Sequence, residues 1–568
     1  MVTARRGGGA LLAMALACSG CLAKEAKLVA GGDTHDLRKR PAGARQSSPD
    51  HPPILVLAFD GVGRDILYDA LRKGDMPQLA RLLGGSDGGR FPHAYFEQSF
   101  LSTLPSTTMA AWVTAFTGVG PAHHGVTGNE FFIREQRSFA APAPATFSDK
   151  NPVLAIYTDQ YLNALVEVPG VYERMRQADP DVLIWVGMHH YYAGADRLLV
   201  TKPTIVAEAF EAYVAEALDK VASQKESRDA YQLLDEHVVN VVVGALDADP
   251  VPDVLTVYLS GTDLYAHVAE EGPDVARRDY LREVVDPQLG HLADKLRARG
   301  ALDGRYVVVT ADHGHTQVVH DDAHALSTRD QGTPPALLRK VGFRVRPFKL
   351  DVAPTEDFQA VLAYQGAMAY VYLADRSTCP EAKQVCDWPL PPRYEEDVLA
   401  AADAFYKNNE DGALVPEMKG TLDMVLTRRP RPYTESDGPF EVYVGGGKLE
   451  PVEKYLEEHP HPTYVAMAAR LRELAEGPRG ERAGDVLLLA HNGDRDRPED
   501  RYYFAEPYHS WHGSPSRQDS EIPLIVGRAG DSAPALQAIV QGALGDHPHQ
   551  QKLTDLLLSL RRLPAVRR

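Results

Sequence analysis

Short apolar runs alternate with longer amphipathic stretches along most of the chain. Ile54–Phe59 is an unbroken apolar run of strand length, the pattern of a strand covered on both faces. Val182–Gly187, Val254–Ser260, Tyr306–Thr310, Val486–Ala490 and Ile522–Val526 repeat it. Between these runs, Asp65–Leu83, Thr204–Val221, Ala230–Leu246 and Arg278–Arg299 carry apolar residues at helical spacing. Strands alternating with helices predict an α/β fold, a mostly parallel sheet sandwiched by helices. The rhythm fails between residues 331 and 484. That stretch holds Cys379 and Cys386, a set of prolines that includes Pro389, Pro391 and Pro392, and the triplet Gly445-Gly446-Gly447. The triplet follows Glu441–Val444 and reads as a hairpin turn. An inserted cap or subdomain is predicted there. The core then has two parts, residues 53–330 and 485–568, with Asp485–Ala490 as the return to the core pattern.

The N-terminus follows a different logic. Arg5 and Arg6 precede the apolar stretch Gly7–Ala17 and the small residues Ser19 and Gly20, the order of an export signal. The stretch is shorter than the roughly 20 residues a membrane-spanning helix needs. The small residues stop at Cys21, as in a lipoprotein cleavage box, where Cys21 carries the lipid and begins the mature chain. Cys18, after Ala15-Leu16-Ala17, is the weaker alternative. Residues 1–20 are thus expected to be a signal peptide and 21–52, polar and rich in Gly, Pro, Arg and Ser, a flexible tether. The expected location is the periplasm or outer membrane of a Gram-negative-type bacterium, with membrane contact only through the lipid anchor. Cys379 and Cys386 are then the remaining cysteines. Export favours a small-loop disulfide between them, with two free thiols as the alternative.

Composition narrows the partners. With 44% hydrophobic and 24% charged residues among 568, the chain is globular rather than disordered or coiled-coil. Its 78 Asp+Glu outweigh 60 Lys+Arg, for a net charge of -18. That balance argues against long nucleic acid, which needs a basic surface. It leaves room for a small phosphorylated substrate in a local metal site.

The candidate chemistry sits where the predicted strands end, the place where open α/β sheets gather functional groups. Ile54–Phe59 runs into Asp60-Gly61. Val254–Ser260 runs into Gly261-Thr262-Asp263, with His267 one helical turn on. Tyr306–Thr310 runs into Ala311-Asp312-His313-Gly314-His315. His512-Gly513 precedes the strand Ile522–Val526. Each residue alone has an ordinary reading as a turn, a helix cap or a helix-face pair. His509, His315, His320 and His324 read as polar loop residues. Together, three Asp and three His exceed the needs of one four-coordinate ion. They suit two divalent ions, Zn²⁺ first and Mn²⁺ second, of the kind that clamp a phosphoryl group. A hydroxyl cluster, Ser106-Thr107-Thr108, stands where a helix ending at Thr117-Gly118 should begin. Hydroxyls there are good N-caps, but a helix start also binds phosphate.

These segments resemble the alkaline phosphatase superfamily. The set comprises Phe59-Asp60-Gly61, Pro105-Ser106-Thr107-Thr108 with Thr117-Gly118, His124-Gly125 and Asn129, Asp263 with His267, Asp312-His313-Gly314, and His512-Gly513. In order and spacing it is most similar to the type I phosphodiesterase/nucleotide pyrophosphatase branch. The resemblance implies one Zn²⁺ on Asp60, Asp312 and His313, activating Ser106 as the nucleophile. It implies a second on Asp263, His267 and His512, activating water, and a phosphate contact from Asn129. The implied reaction is hydrolysis of a phosphodiester or pyrophosphate through a phospho-serine. There are departures. The branch carries Pro-Thr-x-Thr-Phe-Pro-Asn where this chain has Pro-Ser-Thr-Thr-Met-Ala-Ala. The base-stacking aromatic is replaced by Met109, and Thr107 competes with Ser106 as the nucleophile. The alternative functions are a phosphomonoesterase, a phosphonate or sulfate ester hydrolase, a phosphotransferase of the same fold, and a non-catalytic envelope-anchored binding protein.

Overall fold

The computed structural model describes residues 34–38, 48, 50–144, 151–217, 224–247, 250–326, 332–430 and 438–564. The signal segment and Cys21 lie outside them. Eight strands form the main sheet: β1 (Thr34–Asp36), β2 (Ile54–Phe59), β3 (Ala94–Phe96), β4 (Ile184–Gly187), β5 (Arg197–Leu199), β6 (Val254–Leu259), β7 (Tyr306–Ala311) and β8 (Leu524–Gly527). Their order is β1-β5-β4-β6-β2-β7-β8-β3. The five central strands, β5 to β7, run parallel. β8 runs antiparallel to β7 and to β3, and β1 antiparallel to β5. All six residues of β2 are buried. With a parallel partner on each side and helices over both faces, that strand leaves no place for a polar residue, so its apolar run is unbroken. Two positions fall to the site because of this frame. Phe59 pairs with Ala311, so the residues that follow, Asp60 and Asp312, emerge side by side. And because β8 is reversed, the chain that leads into it arrives at the edge where its neighbours end.

A second, antiparallel sheet packs beside the first. Its order is Ala360–Gln365, Met368–Leu373, Val486–Ala490, Leu422–Arg428, Phe440–Tyr443, Leu449–Pro451. Alternate residues feed two apolar clusters: Val361, Ala363, Met368, Leu487 and Leu489 on one face, and Ala360, Leu362, Ala369, Val486 and Leu488 on the other. Val486–Ala490, expected to be a core strand, is therefore a central strand of this second sheet. A strand buried on both faces shows the same continuous apolar run in either sheet, so the pattern does not say which one it joins. Part of the expected tether also differs. Thr34–Asp36 is an edge strand on Arg197–Leu199. Cys379 and Cys386 form a disulfide. Gly445, Gly446 and Gly447 occupy the turn between Phe440–Tyr443 and Leu449–Pro451, as the triplet suggested. Among the described residues no helix is long and apolar enough to cross a membrane.

Candidate metal centre

The first group of ligands comes from the ends of β2 and β7. Asp312 Oδ1 accepts the backbone N–H groups of Gly61 (3.1 Å) and His313 (2.9 Å). Asp60 Oδ2 accepts the Tyr258 hydroxyl. One oxygen of each carboxylate is so engaged. The other two, Asp60 Oδ1 and Asp312 Oδ2, are buried without a hydrogen-bond partner. His313 Nε2 lies 3.5 Å from each of these oxygens. That is beyond hydrogen-bond reach. It matches the edge of a tetrahedron with bonds of about 2.1 Å, roughly 3.4 Å.

The second group surrounds Asp263. β6 ends at Leu259 and the helix Gly261–Val268 begins at once. One turn of it puts Asp263 Oδ2 3.6 Å from His267 Nε2. His512 Nε2 stands 4.0 Å from Asp263 Oδ1, and its ring stacks on that of His313 at 3.6 Å. His315, expected to be a loop residue, is buried in the cluster with Nε2 2.8 Å from Asp263 Oδ1. Three rings are locked the same way from behind. The Nδ1 groups of His267, His313 and His512 meet the carbonyls of Ser510 (2.7 Å), Gly314 (3.0 Å) and Ser106 (2.8 Å). A carbonyl only accepts, so each Nδ1 carries the proton and each Nε2 lone pair faces inward, the second-sphere device of metal-binding imidazoles.

The charges agree with this geometry. Burial, and then repulsion by a neighbouring carboxylate, hold Asp60, Asp263 and Asp312 well above the usual carboxylate range. Burial pushes His267, His313 and His315 well below theirs, and His512 down to about 4. Three crowded carboxylates and neutral imidazoles, with orphaned oxygens aimed between them, fit divalent cations.

The hydroxyls sort differently from the sequence expectation. The helix is Thr108–Thr117, with Thr107 as its N-cap. Ser106 Oγ is fully buried, accepts from Arg470 Nη2 (2.9 Å) and donates to the Ser514 carbonyl (3.1 Å). It is not brought to the cluster; only its carbonyl serves, on His512. Thr107 Oγ1 is buried without a partner. Thr108 Oγ1 is the hydroxyl beside the ligands, 3.3 Å from His313 Nε2. The second threonine of the Pro-Thr-x-Thr run falls on Thr108, which was the available signal. Asn129 Oδ1 accepts the Met109 N–H (2.9 Å). Its amide nitrogen is left for the cavity that Asn129, Thr108, Asp60, Asp263, His267 and His512 line together. That cavity measures about 980 Å³ with its open mouth, and its remaining wall is largely apolar, with Met109, Val153, Phe210 and Tyr213. His320 and His509 pair with each other at 3.1 Å on a loop, as their ordinary reading had it.

A family model described as type I phosphodiesterase / nucleotide pyrophosphatase matches residues 54–380. The match spans Asp60, Thr108, Asn129, Asp263, His267, Asp312, His313 and His315, and leaves out Arg470 and His512. Among solved structures, murine ectonucleotide pyrophosphatase / phosphodiesterase 5 is 12% identical, with a TM-score of 0.45 over 91% of this chain and 96% of that one. An inactive form of the murine protein in complex with AMP gives 12% and 0.46 over the same shares. The human protein gives 11% and 0.47, again over 91% and 96%. No curated protein sequence matches.

Proposed function

The chain belongs to the type I phosphodiesterase/nucleotide pyrophosphatase family, a metal-dependent hydrolase of phosphodiester or pyrophosphate bonds, and from that premise we propose that Thr108 is its nucleophile. The observation that carries this is the contrast between two hydroxyls. Thr108 Oγ1 reaches the ligand cluster, while Ser106 Oγ is held by Arg470. Asp60, Asp312 and His313 would hold one divalent ion, and Asp263, His267 and His512 another, Zn²⁺ foremost and Mn²⁺ second. Such ions supply positive charge for the phosphoryl oxygens and ease deprotonation of the hydroxyl.

The protein's own groups then act in sequence. Thr108 Oγ gives up its proton and attacks phosphorus, the bond to the leaving oxygen breaks, that oxygen takes up a proton, and a phospho-threonine forms. Water attacks that phosphorus from the vacated side, the Oγ–P bond breaks, and Oγ regains its proton. The Asn129 amide donates to a non-bridging oxygen. Thr108–Thr117 begins at the same place, so the positive end of its dipole favours the same charge. The substrate is a small phosphorylated molecule whose organic part meets an apolar wall.

The test is a pair of variants assayed on an aryl phosphodiester, with metal analysis of each sample. Thr108→Ala should lose at least about 10³-fold in kcat at unchanged metal content, whereas Ser106→Ala should stay within about tenfold of the parent. The reverse ranking would return the role to Ser106. We further propose that Cys21 carries a lipid. Cys21→Ser should then move the protein from the membrane fraction to the soluble fraction, and unchanged fractionation would reject the anchor.

A further inference from the structure

Behind the loop that carries His512, the second sheet assembles another Asp/His set, and we propose that it is a separate divalent-metal site. Leu422 pairs with Ala490, so Asp423, near the start of its strand, lies beside the turn that follows Val486–Ala490. That turn supplies His491 and Asp494. His461 comes from the segment between the helices Val452–Glu458 and Met467–Ala475. Asp423 Oδ1 lies 3.6 Å from His491 Nδ1 and 3.7 Å from His461 Nε2. Asp494 Oδ2 and His491 Nδ1 share a hydrogen bond of 2.7 Å that a bound ion would replace. Ligand atoms of Asp423, His491 and Asp494 all fall within 4.8 Å of one another.

The carboxylates are oriented from outside, as at the catalytic centre. The Tyr464 hydroxyl donates to Asp423 Oδ2 (2.7 Å), and the Asn492 N–H donates to Asp494 Oδ1 (2.7 Å). Each acid thus turns its other oxygen toward the imidazoles. The side chains of Asp423 and Asp494 are 5% and 6% exposed. The His461 ring is fixed by stacking on Tyr464 at 4.8 Å. The two gaps of 3.6 and 3.7 Å at Asp423 Oδ1 are too long for hydrogen bonds and suit co-ligands of one ion. Arg495 reaches in from the solvent side, 3.2 Å from Asp494 Oδ2 and 2.8 Å from His491 Nε2. Its side chain is 45% exposed, so it can swing out as an ion takes its place. Two carboxylates and two imidazoles suit Zn²⁺ or Mn²⁺.

The role that follows is structural. The Val465 N–H donates to the Pro515 carbonyl (3.0 Å), and Tyr464 forms an antiparallel bridge with Ser516. An ion on Asp423, His491 and Asp494 would stiffen the support of the loop that delivers His512 without touching substrate.

The experiment is metal analysis of the full chain, reconstituted with Zn²⁺ and freed of excess ion by gel filtration. His491→Ala and Asp423→Asn should each hold one ion fewer per chain than the parent and keep phosphodiester hydrolysis within about threefold. Asp312→Asn, at the catalytic centre, should remove ion independently, so that its loss and the His491→Ala loss add. Equal metal content in the parent and in His491→Ala would overturn the proposal. If Asp423→Asn fails to fold, His491→Ala, nearer the surface, decides alone.

Discussion

Removing metal from the catalytic centre should make the protein's stability fall with rising pH above about 6.5. In the metal-free protein Asp60, Asp263 and Asp312 bind their protons more tightly folded than unfolded. Asp235, buried, does the same at about 7. A carboxyl raised in this way stabilises the fold at low pH, and that contribution is lost as pH rises through the folded value. The slope is about 1.4 kcal/mol per pH unit for each such group. The buried imidazoles act oppositely. His512 at about 4 and His124, His189 and His190 at about 3 are depressed. Their contribution is lost as pH falls below the unfolded value near 6.5. The chelated protein should therefore be most stable near pH 6.5, and the carboxylates alone should act between pH 6.5 and 8.

The two ions proposed above would remove the cause for Asp60, Asp263 and Asp312. At about 1,000 times Kd each adds about 4 kcal/mol, so two add roughly 8. For 568 residues the unfolding entropy is about 1.2 kcal/mol/K, which makes the gain roughly 7 °C in Tm. Thermal unfolding with Zn²⁺ and with chelator, at pH 6.5 and 8, measures both effects. The gap between the two curves should widen at the higher pH. A chelator that leaves Tm unchanged, or a gap that narrows with pH, would refute the reasoning.

Two further outcomes follow from the same site. Arg470 donates to the Thr103 carbonyl, Ser106 Oγ and Ser520 Oγ at 2.8 to 2.9 Å. Arg470→Met takes one donor from each of these buried acceptors and should cost about 1–3 kcal/mol in urea unfolding; a loss under about 0.5 kcal/mol would show the network to be dispensable. Gly61 has φ +66°, and a Cβ there would meet His315 Nε2 at 2.6 Å and Asp263 Oδ1 at 2.8 Å. Gly61→Ala should lose bound metal and more than about 10²-fold in activity, while near-parent values would mean that Asp263 has room to retreat.

Much of the core and most of the site were legible in the chain because strand ends and chemistry coincide. Asp60, Asp312 and His313 follow unbroken apolar runs, and one helical turn joins Asp263 to His267. These are local facts, and periodicity reports local facts. His315 reads in the sequence as a polar loop residue near the site and not as part of the cluster, because alternation along a loop says nothing about which side faces inward; its place depends on Ser510, whose Oγ lies 3.0 Å from its Nδ1. In the sequence the choice lies between Ser106 and Thr107, because the pattern starts the helix at Ser106; the helix starts at Thr108, and Thr108 is the hydroxyl beside His313. Val486–Ala490 was assigned to the wrong sheet because burial on both faces erases the period that would have marked it.

The reversal of β8 also sets when the enzyme becomes one. His512 meets the Ser106 carbonyl across 406 residues, and the loop that carries it is held by a strand inserted between β7 and β3. During synthesis the other catalytic ligands emerge long before. A chain made only as far as residue 500 can gather Asp60, Asp263 and Asp312 but has no His512 to complete the set. The proposed set on Asp263, His267 and His512 therefore stays incomplete until β8 has paired with β7.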